Sequence, residues 1–326
     1  MIYVLNQPTI VDLCGADADQ ILHNLTTADV RALAVGQGCE SFITDVRGKT
    51  LHHVMVYRTD QGFRLVGPGG ESAKDPQTSF CQRLVDHCDR YIIREDATPM
   101  IVEGDWRLWV ADPESAAGLN DSWHDCSWLG PGSRMCWSTD DASVSLDGPV
   151  GDQAAFHWHR VIAGFPWYGI DLDDSNLPQE ADRDSQTISF TKGCYLGQET
   201  VARLDALGQV QRKLVHWAIG PADDSQTMTS GDPEPMAVTV PTGTTLLAGE
   251  KKVARLTSLA TLRPPNGVAE SAVEKFRSMT QSISFPVAAV AMGFARRSHF
   301  DPGARAEGSD AAGQPIQGEV LAVPHE

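Results

Sequence analysis

The hydrophobic pattern changes period along the chain, and each change predicts a different kind of element. Ser41–Val46, Leu51–Tyr57 and Phe63–Val66 are apolar-rich runs separated by turn residues at Arg47-Gly48-Lys49 and Asp60-Gln61-Gly62, which predicts a strand meander. Ahead of them, Asp17 precedes Ile21, Leu22 and Leu25, with Gln20 placed for a capping box, so a short helix is expected to start there. Phe80, Leu84, Val85 and Cys88 recur at helical spacing and predict an amphipathic helix over about residues 77–90. Strands are expected near Met100–Val102 and Leu108–Val110, whereas Pro113 to about Gly148 has weak periodicity and reads as loops with short strands. A helical pattern returns from Asp152 through Phe156, His159, Val161 and Ile162, and stops at Gly164 with Pro166 just beyond.

Thr187–Phe190 then reads as a short strand and Gln198–Leu204 as a helix. After Gly208 the period becomes that of strands, at Lys213–Ile219, Val253–Thr257 and Val287–Phe294, with a loop-like tract from Asp223 to Thr245. This shift predicts a separate C-terminal β-domain of about 110 residues.

At 326 residues the chain exceeds one ordinary domain of about 150, so two or three domains are expected. No apolar run reaches the roughly 18 residues of a membrane-spanning helix, and no membrane partner is expected. Met1–Asn6 is not a basic stretch leading into a long apolar segment, which makes the cytoplasm the expected location. A formal net charge of −17 argues against direct general nucleic-acid binding, because that rests on lysine and arginine neutralising phosphates. Seven cysteines with no Cys-x-x-Cys pair predict reduced thiols and argue against a self-contained zinc or iron-sulfur site, so no metal ligands are assigned. His52 and His53 are adjacent, and His157 and His159 are two apart; both spacings point the rings away from each other and suit packing or surface roles.

The densest chemistry lies in Lys192-Gly193-Cys194-Tyr195-Leu196-Gly197-Gln198-Glu199, which sets one cysteine between two glycines just ahead of a helix start. Unpaired N–H groups and the helix dipole favour negative charge there, with Lys192 and Arg203 as cationic helpers for a thiolate. Free cysteine is also among the most buried residue types, so a packing role for Cys194 is the competing reading. Gly193 and Gly197 would permit a conformation or a close approach that a side chain forbids, and Glu199 suits the first helical turn as a structural acid.

This octapeptide closely resembles the signature of the YgfZ family of folate-binding proteins, relatives of the aminomethyltransferase, or T-protein, of the glycine cleavage system. Other segments resemble the family in order. Gly15-Ala16-Asp17 through Asn24 to Val30 is similar to its N-terminal helix and Thr-x-Asp-Val segment, and Gly48-Lys49 to its hairpin pair. Arg160 to Pro166 is similar to Arg-x-x-x-Gly-x-Pro, and Ala254 to Ser258 to a Gly-x-x-Thr-Ser strand with the glycine replaced.

The resemblance implies an α+β, three-domain aminomethyltransferase-like cloverleaf. Its expected parts are a discontinuous first α+β domain carrying the cysteine motif, about 1–46 with 155–210; a second α+β domain, about 47–154; and a C-terminal β-barrel-like domain, about 211–326. It implies a folate-binding accessory protein that supports iron-sulfur cluster assembly or repair in client enzymes, including tRNA-modifying ones, through a reactive cysteine. Tetrahydrofolate or a one-carbon derivative is the implied ligand, and iron-sulfur client proteins are the implied partners. Cys194 is then the reactive residue, able to attack an electrophile, accept a one-carbon adduct or lend one ligand to a cluster held by a partner.

Lys192, Gly193, Tyr195, Gly197, Gln198, Arg203 and Arg160 are the candidate folate-site residues. Lys192 would lower the thiol pKa or hold the folate glutamate tail, Tyr195 would stack on the pterin, and Arg203 would meet an anionic ligand group or pair with Glu199 four residues earlier. A surface salt bridge is the equal alternative for Arg160. The alternative function is a tetrahydrofolate-dependent aminomethyltransferase of the glycine cleavage type. Those enzymes lack this cysteine and carry a pterin-binding acid where Ile162 stands here, and both departures count against it.

Overall fold

The computed structural model describes residues 1–71, 77–141, 144, 149–208, 210–222 and 240–322. Most of the loop-like tract from Asp223 to Thr245 lies outside the described residues, as do parts of the Pro113–Gly148 region. The chain divides into two compact units: Met1–Gln153 with Phe165–Gln209, and Ala154–Gly164 with Val210–Glu326.

The first unit begins with β1 (Ile2–Asn6), β2 (Thr9–Cys14), α1 (Ala18–Leu25), β3 (Gly38–Thr44), β4 (Thr50–Thr59), β5 (Gly62–Gly67) and α2 (Phe80–Asp89). It continues through β6 (Thr98–Ile101), β7 (Arg107–Ala111), α3 (Pro113–Ala116), β8 (His124–Cys126), β9 (Ser133–Ser138) and β10 (Val150–Gly151). The second unit's first helix, α4 (Gln153–Ala163), intervenes before α5 (Asp184–Thr187) and α6 (Gln198–Leu207). The expected meander is β3, β4 and β5, which extends into the antiparallel sheet β3-β4-β5-β2-β6. A second sheet runs β10-β1-β7-β9-β8, with only β10 parallel to its neighbour.

Helices α1 and α2 cover one face of the first sheet. Ile21, Leu22 and Leu25 from α1, and Leu84 and Cys88 from α2, close over Val11, Val54 and Leu65. The opposite face is also buried, which is why β4 has so few exposed positions. There the rings of Phe42, His53 and Phe165 stack, with centroids 4.4 Å and 5.0 Å apart, and Trp128 follows Phe165 at 5.3 Å.

At the end of this stack Glu40 accepts two hydrogen bonds from Arg183, each 2.5 Å, one from His53 Nε2 at 2.7 Å, and one from the Ser127 hydroxyl. Burial pushes the Glu40 carboxyl up, but the Arg183 guanidinium and the His53 hydrogen bond override it and hold the group well below the usual carboxylate range. Ser127 follows β8 and Tyr57 on β4 donates to the Asp125 carbonyl at 2.8 Å, so this polar cluster joins the two sheets.

In the second unit β11 (Arg212–Pro221), β12 (Thr245–Ala248), β13 (Lys251–Thr261), α7 (Glu270–Thr280), β14 (Ala289–Arg296), β15 (Arg305–Ser309) and β16 (Pro315–Val320) follow α4. The strands close as β11-β14-β13-β12-β15-β16, an antiparallel barrel that leaves no open edge. Trp217, Leu246, Leu256 and Ile316 fill it. Helix α4 lies against the barrel: Trp158 Nε1 donates to the Thr261 carbonyl at 2.8 Å, and His216 Nε2 lies 2.7 Å from the Val161 carbonyl. The molecule is therefore a mixed α and β fold with a closed barrel formed by its C-terminal strands, as the sequence led us to expect.

Local expectations are corrected at three places. Asp17 occupies the N-cap position, but its side chain makes no cap bond and instead accepts the Asp96 N–H at 2.8 Å, so there is no capping box. Thr187–Phe190 is not a strand: Thr187 ends α5, its hydroxyl bonded back to the Arg183 carbonyl, and the chain continues irregularly. Helix α7 was not anticipated, although Ala272, Phe276 and Met279 carry its buried stripe at helical spacing.

The Glu40 cluster predicts an acid-sensitive fold. Its contribution is fully present above the ordinary carboxyl value of 4.5 and is lost as pH falls through the lower native value. Glu40→Gln leaves Arg183 buried without its counter-charge and is expected to cost about 3–5 kcal/mol near neutral pH. Urea titrations at descending pH should show the variant and parent stabilities converging in acid.

Candidate functional site

The octapeptide is held in place by atoms from two distant segments. The end of α1 leaves backbone carbonyls without intrahelical donors, and the dipole makes that end negative. The Lys192 amine is buried there and donates to the carbonyls of His23 at 2.7 Å, Thr26 at 2.7 Å and Ala28 at 2.8 Å. Burial pulls its pKa down to about 8, against the opposing pull of Asp29 and Cys39. Around it the Leu196 N–H donates to the Asn24 carbonyl at 2.9 Å, and the Thr44 hydroxyl to the Leu196 carbonyl at 2.7 Å. The Ser189 N–H donates to the Thr27 carbonyl at 2.9 Å.

Gly197 meets the β3–β4 turn. Its φ is +76°, and a Cβ there would lie 2.3 Å from the Gly48 Cα, inside any real contact distance. Gly48, at φ +75°, closes that turn, where Asp45 Oδ1 accepts the N–H groups of Arg47 and Lys49. Gly193 is different: a Cβ there would lie 3.6 Å from His23 Nε2, an ordinary contact. Only the second glycine of the motif is required by space.

This scaffold leaves Cys194 exposed, the one exposed thiol of the seven. Burial pushes Cys39, Cys88, Cys126 and Cys136 up to about 12, and raises Cys14 and Cys81 as well. Cys194 stands three residues ahead of Gly197, the N-cap of α6. Among the described residues, no group of three or more His, Cys, Asp or Glu side chains is clustered to hold a metal.

The other candidate residues divide between scaffold and surface. Lys192 is engaged by its three carbonyls, and Tyr195 is buried in a small core with Ile188 and Val201. The Lys192 amine lies 5.0 Å from the Tyr195 ring centre, and burial pushes the phenol up to about 12. Gln198 is half-buried and Arg203 exposed on α6; Arg203 makes no ion pair with Glu199 among the described residues. Arg160 belongs to the barrel unit, fully buried, where Nη2 donates to Ser258 Oγ at 2.7 Å and Nε to His157 Nδ1 at 2.8 Å. Two clefts of about 330 and 440 Å3 are also in the barrel unit, and neither is bordered by any of the candidate residues.

His23 and Asp29, which sequence reasoning gave no role, flank the loop. His23 Nδ1 lies 3.4 Å from Asp29 Oδ1, and Nε2 faces Gly193. The available signal was that His23 falls in the stretch resembling the family's N-terminal helix and Asp29 in the one resembling its Thr-x-Asp-Val segment.

The mixed α and β architecture with its closed barrel is an aminomethyltransferase-like fold. The fold matches the crystal structure of glycine cleavage system aminomethyltransferase T from Bartonella henselae with a TM-score of 0.64 at 14% identity, covering 99% of this chain and 86% of that one. By sequence the chain is similar to proteins named YgfZ and to the iron-sulfur cluster assembly factor IBA57. It is 28% identical over 232 residues to human mitochondrial IBA57, covering 64% of each chain. It is 25% identical over 240 residues to the Neurospora crassa homolog, covering 65% of this chain and 52% of that one. To the tRNA-modifying protein YgfZ of Yersinia enterocolitica it is 28% identical over 237 residues, covering 67% of this chain and 71% of that one. The chain thus spans between about half and two thirds of the IBA57 relatives' length. No protein-family model matches it.

Two outcomes are expected. Gly197→Ala forces both a strained φ and a backbone clash, and should lower stability by at least about 1–3 kcal/mol in urea titration, whereas Gly193→Ala should be tolerated. On brief alkylation of the native protein followed by peptide mass spectrometry, Cys194 should label first, and Cys88, Cys126 and Cys136 only after unfolding.

Proposed function

We propose that the chain is a folate-binding accessory protein that supports iron-sulfur cluster assembly or repair in client enzymes, including tRNA-modifying ones, with Cys194 as its working thiol. The observation that carries this reading is the exposure of Cys194 on a loop that Lys192, Leu196 and Gly197 pin to the fold. The relatives support the client class: one set is named for iron-sulfur cluster assembly and the other for tRNA modification.

Folate is the finer part of the proposal and is supported by the aminomethyltransferase-like fold. With Lys192, Tyr195 and Gly197 engaged by the loop, the candidate side chains left to meet a folate are Gln198 of the octapeptide and Arg203 further along α6, with further groups from outside the motif. Arg203 would pair with an anionic group of the ligand. Bound folate would supply a carrier for one-carbon units, and the role proposed for Cys194 does not depend on it.

A second reading, aminomethyl transfer to tetrahydrofolate, draws on the same fold. Against it, Ile162 is fully buried on α4 and offers no acid.

In cells lacking their own copy, Cys194→Ala is expected to fail to restore iron-sulfur enzyme activity and tRNA thiolation that the parent chain restores. Full restoration by the variant would remove the cysteine from the function. Calorimetry with tetrahydrofolate should give saturable binding, weakened in Arg203→Ala; absence of binding by the parent chain would remove folate. Methylene transfer at enzyme-like rates would favour the second reading.

A further inference from the structure

We propose that His23, oriented by Asp29, is the proton acceptor for the Cys194 thiol. The proposal rests on the reading of Cys194 as a working thiol and adds the group that activates it.

Cys194 alone would not carry this, and the independent observation is the histidine. The His23 side chain is only 7% exposed, on the last turn of α1. Its Nδ1 and the Asp29 Oδ1 3.4 Å away are at ion-pair distance and shielded from solvent, and neither makes a hydrogen bond in this conformation. A carboxylate only accepts, so its position beside Nδ1 favours the tautomer with the ring proton there and the Nε2 lone pair free. Among the described residues Nε2 has no hydrogen-bond partner either, and it lies 3.6 Å from where a side chain at position 193 would begin. Gly193 has none, so the nitrogen opens toward the loop immediately before the exposed Cys194. Lys192, the other basic group beneath the loop, has its amine engaged by three carbonyls.

The charged groups facing His23 are Lys192 from the octapeptide, Arg31 and Asp29 from the segment after α1, and Asp19 from α1 itself. Burial first, then Lys192 and Arg31, hold the imidazole below its ordinary value of 6.5, against Asp29 and Asp19. The ring is therefore neutral near pH 7 and able to take a proton. In the step itself the Cys194 S–H bond breaks and its proton passes to His23 Nε2 across one bridging water. The products are a thiolate and an imidazolium whose Nδ1–H points at the Asp29 carboxylate, the same division of labour as in other base-activated thiols.

The test is the rate of Cys194 alkylation by iodoacetamide in the full chain as a function of pH, followed by mass spectrometry of the Cys194 peptide. The parent should react rapidly near neutral pH, and His23→Gln about tenfold more slowly, its rate rising only through the ordinary thiol range near pH 8.5. Gly193→Val leaves His23 and Asp29 intact but puts a side chain over Nε2; it should reproduce the loss, and it carries the test if His23→Gln does not fold. A fast parent thiol with unchanged rate and pH profile in a folded His23→Gln overturns the role of His23 while the working-thiol reading stands. A parent that itself titrates as an ordinary thiol overturns both.

Discussion

A buried ammonium group governs where the cysteine loop stands. Lys192 lies beneath the octapeptide with three backbone carbonyls around its amine, all at or just past the end of α1. Those oxygens lack helical donors and sit at the negative end of the dipole, so they are the natural counterpart of a buried cation. Removing the cation from water is unfavourable, and the lowered Lys192 pKa records that penalty. The three hydrogen bonds offset it and tie the loop to a helix some 165 residues earlier in sequence.

The pinned loop has two further supports. Gly197 fits against Gly48 so closely that no side chain can stand between them, which couples the loop to the β3–β4 turn. That turn belongs to a sheet buried on both faces, with α1 and α2 on one side and the Glu40 cluster and its stacked rings on the other. A charged cluster in such a place contributes by being fully hydrogen-bonded; it relates the two sheets of the first unit through groups that tolerate little displacement. Cys194 therefore projects from a rigid base, and the exposure that sets it apart from the other six thiols is a property of that base.

Much of this was legible in the chain. Alternating and helical periodicity located the meander, the helix around Leu84, the helix ending at Gly164 and the later β strands, because each reflects one buried face. The loop residues were legible as a group and less so one by one. Lys192 and Tyr195 carry chemistry suited to a ligand, yet the fold turns both inward, and a side chain's direction depends on what packs beneath it. The Glu40, His53 and Arg183 cluster joins residues far apart in sequence, and no local pattern marks a charge that will be buried. Helix α7 shows the reverse case, a regular stripe overlooked amid strands and loops.

The amino-acid sequence by itself determined the periodicity of most elements, the β character of the C-terminal part and the glycine-flanked cysteine motif, since these depend on neighbours only a few residues apart. The tertiary structure decided which of the seven thiols meets solvent, which glycine is required by space, and that His23 and Asp29 stand beside the loop. The reason is distance along the chain: burial, close backbone approach and the pairing of charges are set by segments that meet only when the sheets and helices have packed.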